Sequence, residues 1–179
     1  MNRHLLLVLI ALALGTAPSL AQSQQPYAGL EARSIKALSE QQIADLRAGR
    51  GMGLALAAEL NGYPGPMHVL EMADALDLSG QQRAKMQELF AAMKAEAIPL
   101  GERLIAQEAE LDKAFAGKTV TPASLAAATD AIGTTHSALR QTHLKYHLSA
   151  VEVLTPAQIQ RYTELRGYKG GVQHPHSQH

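Results

Sequence analysis

The sequence predicts an all-α fold, a long antiparallel helical hairpin with shorter flanking helices. Three observations support this prediction. A Leu-Ser/Thr-x-x-Gln motif, typical of a helix start, occurs at 38–42, 78–82 and 154–158. Two long stretches, 79–115 and 125–153, carry apolar residues at steps of three and four. A short turn joins these stretches, so the two helices must run antiparallel.

Each copy of the motif can satisfy the free backbone N–H groups of a helix start. In the last copy, Thr155 can cap the helix, Pro156 has no N–H to satisfy, and Gln158 can reach back to the cap. Ser39 and Ser79 occupy the capping position in the other two copies. We therefore expect three helices to begin at these points.

Glycine and proline divide the rest of the chain. The glycine-rich run 48–53 should end or loosen the first short helix. It lacks the preceding strand and the Gly-Lys-Ser/Thr ending of a phosphate-binding loop, so close packing or a hinge is favoured. The turn cluster 61–66 precedes a short helix expected over 67–76. Pro99 should kink or locally open the first long helix, because its ring removes one helical hydrogen bond.

The N-terminal 21 residues have the pattern of a secretory signal peptide. The apolar run 5–14 follows Arg3, and small residues occupy positions 19 and 21. This run is about half of the roughly 20 residues that span a bilayer. We expect cleavage after Ala21, export to the periplasm and no stable membrane insertion.

The same reasoning divides the chain into four parts. These are a signal peptide (1–21), a flexible N-terminal arm (22–37), one helical domain (38–168) and a disordered, histidine-containing tail (169–179).

The composition excludes several classes of protein. The 179-residue chain has no cysteine, so neither a disulfide nor a metal-bound thiolate can form. Removing Arg3 leaves 15 Lys and Arg against 16 Asp and Glu, a formal charge of 15 − 16 = −1. We therefore expect no nucleic-acid partner. No nucleophile elbow, catalytic triad or paired-carboxylate motif is present, so we expect no enzymatic activity and no required cofactor.

The repeated motif, in a small helical chain with an export signal, resembles the LTXXQ group of periplasmic proteins. This group includes the Spy/CpxP chaperones and related heavy-metal-resistance proteins, and the resemblance covers about 38–168. It implies a cradle-shaped homodimer that binds unfolded proteins without ATP, or a protein that docks onto an envelope stress sensor. A hairpin with little interior also favours a second copy as partner. The basic residues that could line the cradle, or form a solvated helix face, are Arg83, Lys85, Lys94, Arg103, Arg140 and Lys145.

Histidine is the residue type most able to carry chemistry here. His143 and His147 are one helical turn apart, the spacing at which two imidazoles can share a metal ion, and His136 is two turns before His143. Leu144 occupies the place of the catalytic glutamate of a zinc protease, which excludes that motif. The heavy-metal-resistance relatives bind metals through helix histidines, and the resemblance implies this role for His143 and His147, with His68 weaker.

A turn near residues 118–120 would make facing positions sum to about twice 119, or 238. This register predicts Glu96 opposite His143 and Glu102 opposite His136. The carboxylates could orient a ligating imidazole or bind the metal. The alternative is that these pairs are hydrogen-bonded seam residues that fix the helix register.

The candidate metal site can be stated as a donor set. Met93 and His68 could complete the site if the short helix folds over that end, and Zn, Cu, Ni or Co would be acceptable ions. The tail histidines, His174, His176 and His179, are expected to bind metal only loosely. The candidate ligands are His143, His147, His136, Glu96 and His68.

Overall fold

The computed structural model describes residues 27–168, and this part of the chain is all α-helical, as predicted. A 3₁₀ turn, Leu30–Ala32, precedes six helices. These are α1 (Glu40–Arg47), α2 (Leu56–Glu59), α3 (Pro66–Glu71), α4 (Gly80–Ala116), α5 (Pro122–Val153) and α6 (Pro156–Leu165). The predicted signal peptide and the histidine-containing tail lie outside the described residues.

Helices α4 and α5 form the predicted antiparallel hairpin. Leu104 of α4 and Leu139 of α5 are buried in one core, which the short helix α1 covers with Ile43 and Leu46. α1 lies very close to α4, because a Cβ added to Gly101 would be 2.5 Å from the carbonyl oxygen of Leu46. This close approach of α1 to the backbone of α4 therefore requires a glycine at position 101.

Two boundaries differ from the expectation. Ile35, in the segment expected to be a flexible arm, is buried in the same core, so packing begins before Leu38. The short helix expected over 67–76 ends at Glu71, and turns continue the chain to a buried Leu76. Pro99 lies inside α4, as expected, on the exposed side of the helix. In the part of the chain described here, no helix has the length and apolar character needed to cross a bilayer.

The three capping motifs form as predicted. In each, the hydroxyl of the capping residue accepts a hydrogen bond from a backbone N–H, and the glutamine side chain accepts one from the cap. The pairs are Ser39 with Gln42, Ser79 with Gln82, and Thr155 with Gln158.

The second and third motifs also bond to each other. The Nε2 of Gln82 donates to the Oε1 of Gln158 (2.8 Å), and the Nε2 of Gln158 donates to the Oε1 of Gln82 (3.1 Å). Each amide also donates to a backbone carbonyl, that of Val153 for Gln82 and that of Leu76 for Gln158. The start of α4, the end of α5 and the start of α6 are thus joined at one point. This junction adjoins a second core cluster.

Replacing Gln158 should therefore cost more than replacing Gln42, which is exposed and caps only α1. We expect Gln158→Ala to lower the free energy of unfolding by about 2 kcal/mol and Gln42→Ala by about 1 kcal/mol, since each net hydrogen bond contributes about 1 kcal/mol. Urea unfolding measures both. The Gln82→Ala, Gln158→Ala double-mutant cycle should give a coupling of about 1 kcal/mol. A coupling near zero would contradict the structural role of the amide pair.

Candidate metal site

A cavity of about 530 Å³ lies where the glycine-rich loop 48–53 and the start of α3 pack against the hairpin. The hairpin supplies one wall from α4 and one from α5. Six residues whose side chains carry sulfur or imidazole nitrogen line this cavity. They are His68, His143, His147, Met52, Met67 and Met93.

His143 presents an unsatisfied nitrogen. Its side chain is 3% exposed, and its Nε2 has no hydrogen-bond partner in the described part of the chain. Burial lowers the pKa of this imidazole, and the neighbouring His147 lowers it further. His143 is therefore neutral at neutral pH, the form that can bind a metal ion.

Gly51 of the glycine-rich loop makes room for the His143 ring. A Cβ added to Gly51 would lie 3.3 Å from the Nδ1 of His143. Such a distance is shorter than ordinary van der Waals contact, so a side chain here would crowd the imidazole. The glycine-rich run thus packs closely against the hairpin, as expected.

His147 is oriented by the loop before α3. Its Nδ1 is 2.6 Å from the carbonyl oxygen of Tyr63, so the ring donates through Nδ1 and keeps a lone pair on Nε2. A Cβ added to Gly65 would lie 2.9 Å from this Nε2. One hydrogen bond therefore orients the ring, and the absence of a side chain at Gly65 makes room for its Nε2 edge.

A buried carboxylate supports the same loop. Glu59, 6% exposed, accepts hydrogen bonds from the hydroxyls of Tyr162 and Tyr168 and from the backbone N–H of Gly65. The guanidinium of Arg166 is 3.6 Å away. Burial raises the pKa of Tyr162, and its bond to Glu59 raises it further. Glu59 is thus engaged with α6 and the chain after it.

Glu59 also lies beside His147. Its Oε2 is 3.7 Å from the Nδ1 of His147, the nitrogen that bonds to Tyr63. This carboxylate was missed in the sequence. Its position within the apolar run Leu54–Leu60 was the available signal, because a charged residue in such a run must be paired if it is buried.

The structure brings together three of the five predicted ligands. His68 lines the same cavity as His143 and His147, because α3 folds over that end of the hairpin. Its Nδ1 is 3.0 Å from the Oε2 of Glu71. Met93 lines the cavity as well, from α4.

His136 and Glu96 are not part of this cavity. His136 is exposed, and the nearby carboxylate is Glu108, whose pKa is raised by burial and lowered by His136. Glu96 accepts hydrogen bonds from Lys145 and Tyr146, which lower its pKa.

The predicted carboxylate–histidine pairs are therefore wrong. Glu102 pairs with Arg47 (3.3 Å) instead of His136. Glu96 bonds to Lys145 and Tyr146 instead of its predicted partner, His143. The reason is the direction of helical side chains, which lean toward the N-terminus of their own helix. In an antiparallel pair this lean moves the contacts of α4 to later residues of α5. The carboxylate of Glu96 accordingly contacts Lys145 and Tyr146, which lie two and three positions after His143.

Within residues 27–168, no three His, Cys, Asp or Glu side chains form a group that could hold a metal ion. The histidines therefore share a cavity without converging on one point. Asp45 also lines the cavity, but its carboxylate pairs with Arg50 at 2.7 Å. His143 and His147, which are one helical turn apart on α5, are the pair of candidate ligands that lines this cavity from a single helix.

The glycine beside His147 gives a direct test of this packing. The Cβ of Gly65→Ala would lie 2.8 Å from the Cε1 of His147, so the ring or the loop must move. We expect the free energy of unfolding to fall by about 1 to 3 kcal/mol, as for other overpacked sites. Gly133→Ala in α5 is the control, since nothing lies within 4 Å of its Cβ, and it should gain about 0.5 to 1 kcal/mol. Equal urea unfolding of Gly65→Ala and the parent would contradict the close contact.

Comparison with known proteins agrees with the expected resemblance. A family model described as heavy-metal resistance matches residues 3–161, which is most of the chain. Searches of curated proteins and of solved structures find no match. The family match, the all-α hairpin and the repeated capping motif agree with one another, and the chain belongs to the heavy-metal resistance family.

Proposed function

We propose that this protein binds a metal ion in the cavity between the hairpin and the glycine-rich loop, with His143 and His147 as ligands. The unpartnered Nε2 of the buried His143 is the observation that carries this proposal. A buried polar atom without a partner costs about 1 to 3 kcal/mol. A metal ion bound to this nitrogen would remove that cost.

The second ligand supports the same proposal. The Nδ1 of His147 bonds to the carbonyl of Tyr63, an arrangement typical of metal-binding imidazoles, whose other nitrogen is fixed by a carbonyl or carboxylate. The cavity also has the volume and the glycine-lined walls that an ion and its ligands need. Because loop and hairpin both border the site, binding should stabilise their packing. The protein would act as a metal sensor or buffer.

Calorimetric titration tests this proposal. We expect saturable binding tighter than about 1 μM, which corresponds to about 8 kcal/mol, for at least one of Zn, Cu, Ni and Co. The protein should carry His174→Gln, His176→Gln and His179→Gln, so that the tail cannot contribute. Binding should be lost in the His143→Ala, His147→Ala double variant.

The control is His136→Ala, an exposed histidine of the same helix, which should bind as the parent does. Equal binding by the double variant would contradict the site. Absence of binding by the parent would contradict the function.

The N-terminal pattern supports a location for this activity. Residues 1–21 have the features of a secretory signal peptide, so we place the protein in the periplasm. There it would contribute to heavy-metal tolerance as a binding protein without enzymatic activity.

An open groove at the other end of the hairpin favours a second candidate function, ATP-independent binding of unfolded proteins. The groove has a volume of about 410 Å³ between α4 and α5. At this end Phe115 and Leu125 are 53% and 37% exposed. The groove is lined mostly by apolar side chains, among them Ala106, Leu111, Ala114, Val120 and Ala128, and by Arg103.

Half of the charges proposed for a cradle are compensated by carboxylates. Three of the six basic candidates bond to carboxylates: Arg83 to Asp74, Lys85 to Glu88 and Lys145 to Glu96. Lys94 lies over the ring of Phe90 and lines the metal cavity. Client binding would therefore depend on apolar contact at the hairpin tip more than on charge.

An aggregation assay tests the second candidate. An equimolar amount of protein should suppress the aggregation of a reduced client, and Phe115→Ser with Leu125→Ser should weaken this effect, since both side chains are exposed. Leu148→Ser is the control, because Leu148 is 56% exposed on α5 but far from the tip. No suppression by the parent would contradict chaperone activity. Equal loss in the control would contradict the tip as its site.

The partners follow from the same surfaces. We propose a homodimer, supported by the apolar groove that a two-helix hairpin leaves uncovered. Unfolded clients, or an envelope stress sensor, would then be the further partners. A measurement of the molar mass in solution tests the homodimer.

A further inference from the structure

We propose that the ion of this cavity is a soft monovalent cation, Cu(I) or Ag(I), held by the imidazoles of His143 and His147 and by the thioether of Met93. This inference rests on the proposed metal-binding function and names the class of ion. The argument has three steps, which concern the available donors, the position of Met93 and the charge of the cavity.

The donors that remain available are nitrogen and sulfur. Both carboxylates that line the cavity are engaged, Asp45 with Arg50 and Glu59 with two tyrosine hydroxyls and a backbone N–H. Three methionines line the same cavity as the histidines. Thioethers are soft ligands that bind Cu(I) well, whereas oxygen donors suit harder ions.

The arrangement of the side chains also favours sulfur as the third ligand. In the described ranges of the chain, no three His, Cys, Asp or Glu residues could bind one ion together. A divalent site of the common kind, with three or four nitrogen and oxygen ligands from the protein, is therefore not assembled here. Two imidazoles and a thioether give the low coordination number that soft monovalent ions accept.

Met93 is the best placed of the three methionines. It is 7% exposed on the long helix α4, which contacts α5 between the two histidines, because Glu96 bonds to Lys145 and Tyr146. Met52 and Met67 are 43% and 37% exposed, the first in the glycine-rich loop and the second at the start of α3. Ligands on packed helices are positioned more accurately than ligands on loops.

The charge of the cavity favours one positive charge over two. The two carboxylates of its walls lie beside guanidinium groups, those of Arg50 and Arg166. A further positive charge, Lys94, lines the same cavity. The walls thus supply no uncompensated negative charge, and the cost of transferring an ion from water rises steeply with its charge. A monovalent ion bound by neutral ligands avoids most of this cost.

Anaerobic competition with a colorimetric Cu(I) chelator tests the proposal. The protein with its three tail histidines replaced by glutamine should bind one Cu(I), and Ag(I) should displace it. Met93→Leu keeps the side-chain volume and should weaken Cu(I) binding at least about tenfold. Its binding of Zn(II), Ni(II) and Co(II) should equal that of the parent.

Met86→Leu is the matched control, because Met86 is buried on the same helix two turns away and outside the cavity. It should bind Cu(I) as the parent does. In selenomethionine-labelled protein, the selenium absorption spectrum should show a copper neighbour that disappears in Met93→Leu. Circular dichroism and urea unfolding establish that both variants fold.

Two results would overturn the inference in distinguishable ways. Cu(I) binding that Met93→Leu leaves unchanged, or Zn(II) binding that is tighter than Cu(I) binding, would remove the thioether and the soft ion but keep a histidine metal site. Failure of every ion to bind the parent would remove the proposed function together with this inference.

Discussion

The reciprocal amide pair of Gln82 and Gln158 is the contact on which the arrangement around the cavity depends. It joins the ends of three helices, and it ties α6 to the backbone at Leu76, in the turns that follow α3. α6 in turn carries Tyr162, whose hydroxyl bonds to Glu59 beside His147. The motif that begins a helix locally thus also positions, through two further contacts, the wall of the candidate site.

The sequence contained the local part of this information. A capping box lies within four residues, so its hydroxyl and amide can be recognised without knowledge of the rest of the chain. The pairing of α4 with α5 was predicted correctly. The partners of Glu96 were not, because helical side chains lean toward the N-terminus of their helix, and Glu96 contacts Lys145 and Tyr146 instead of His143. The burial of Glu59 depends on residues about a hundred positions away, which no local pattern reveals. His68 lines the cavity because α3, which follows the turn cluster 61–66, packs against the hairpin.

The two ends of the hairpin differ in how they are covered. At one end, the glycine-rich loop and α3 border a cavity in which hydrogen bonds orient His147 and His68. At the other end, α4 and α5 extend as a pair with an apolar groove and exposed side chains such as Phe115. A single fold therefore presents a preorganised site and an adaptable surface, the features that metal binding and client binding respectively require. The two proposed functions do not compete for the same residues.

The bond between Tyr162 and Glu59 has a consequence for the order of folding. The two residues are separated by 103 positions, and Tyr168 reaches the same carboxylate across 109. Contacts between such distant residues close large loops and form late, after the local helices and the hairpin. The segment that carries Tyr162 and Tyr168 must therefore be present before Glu59 acquires these partners. The candidate site is then among the last regions to acquire its native structure, and an incomplete chain exposes its histidines without the contacts that orient them.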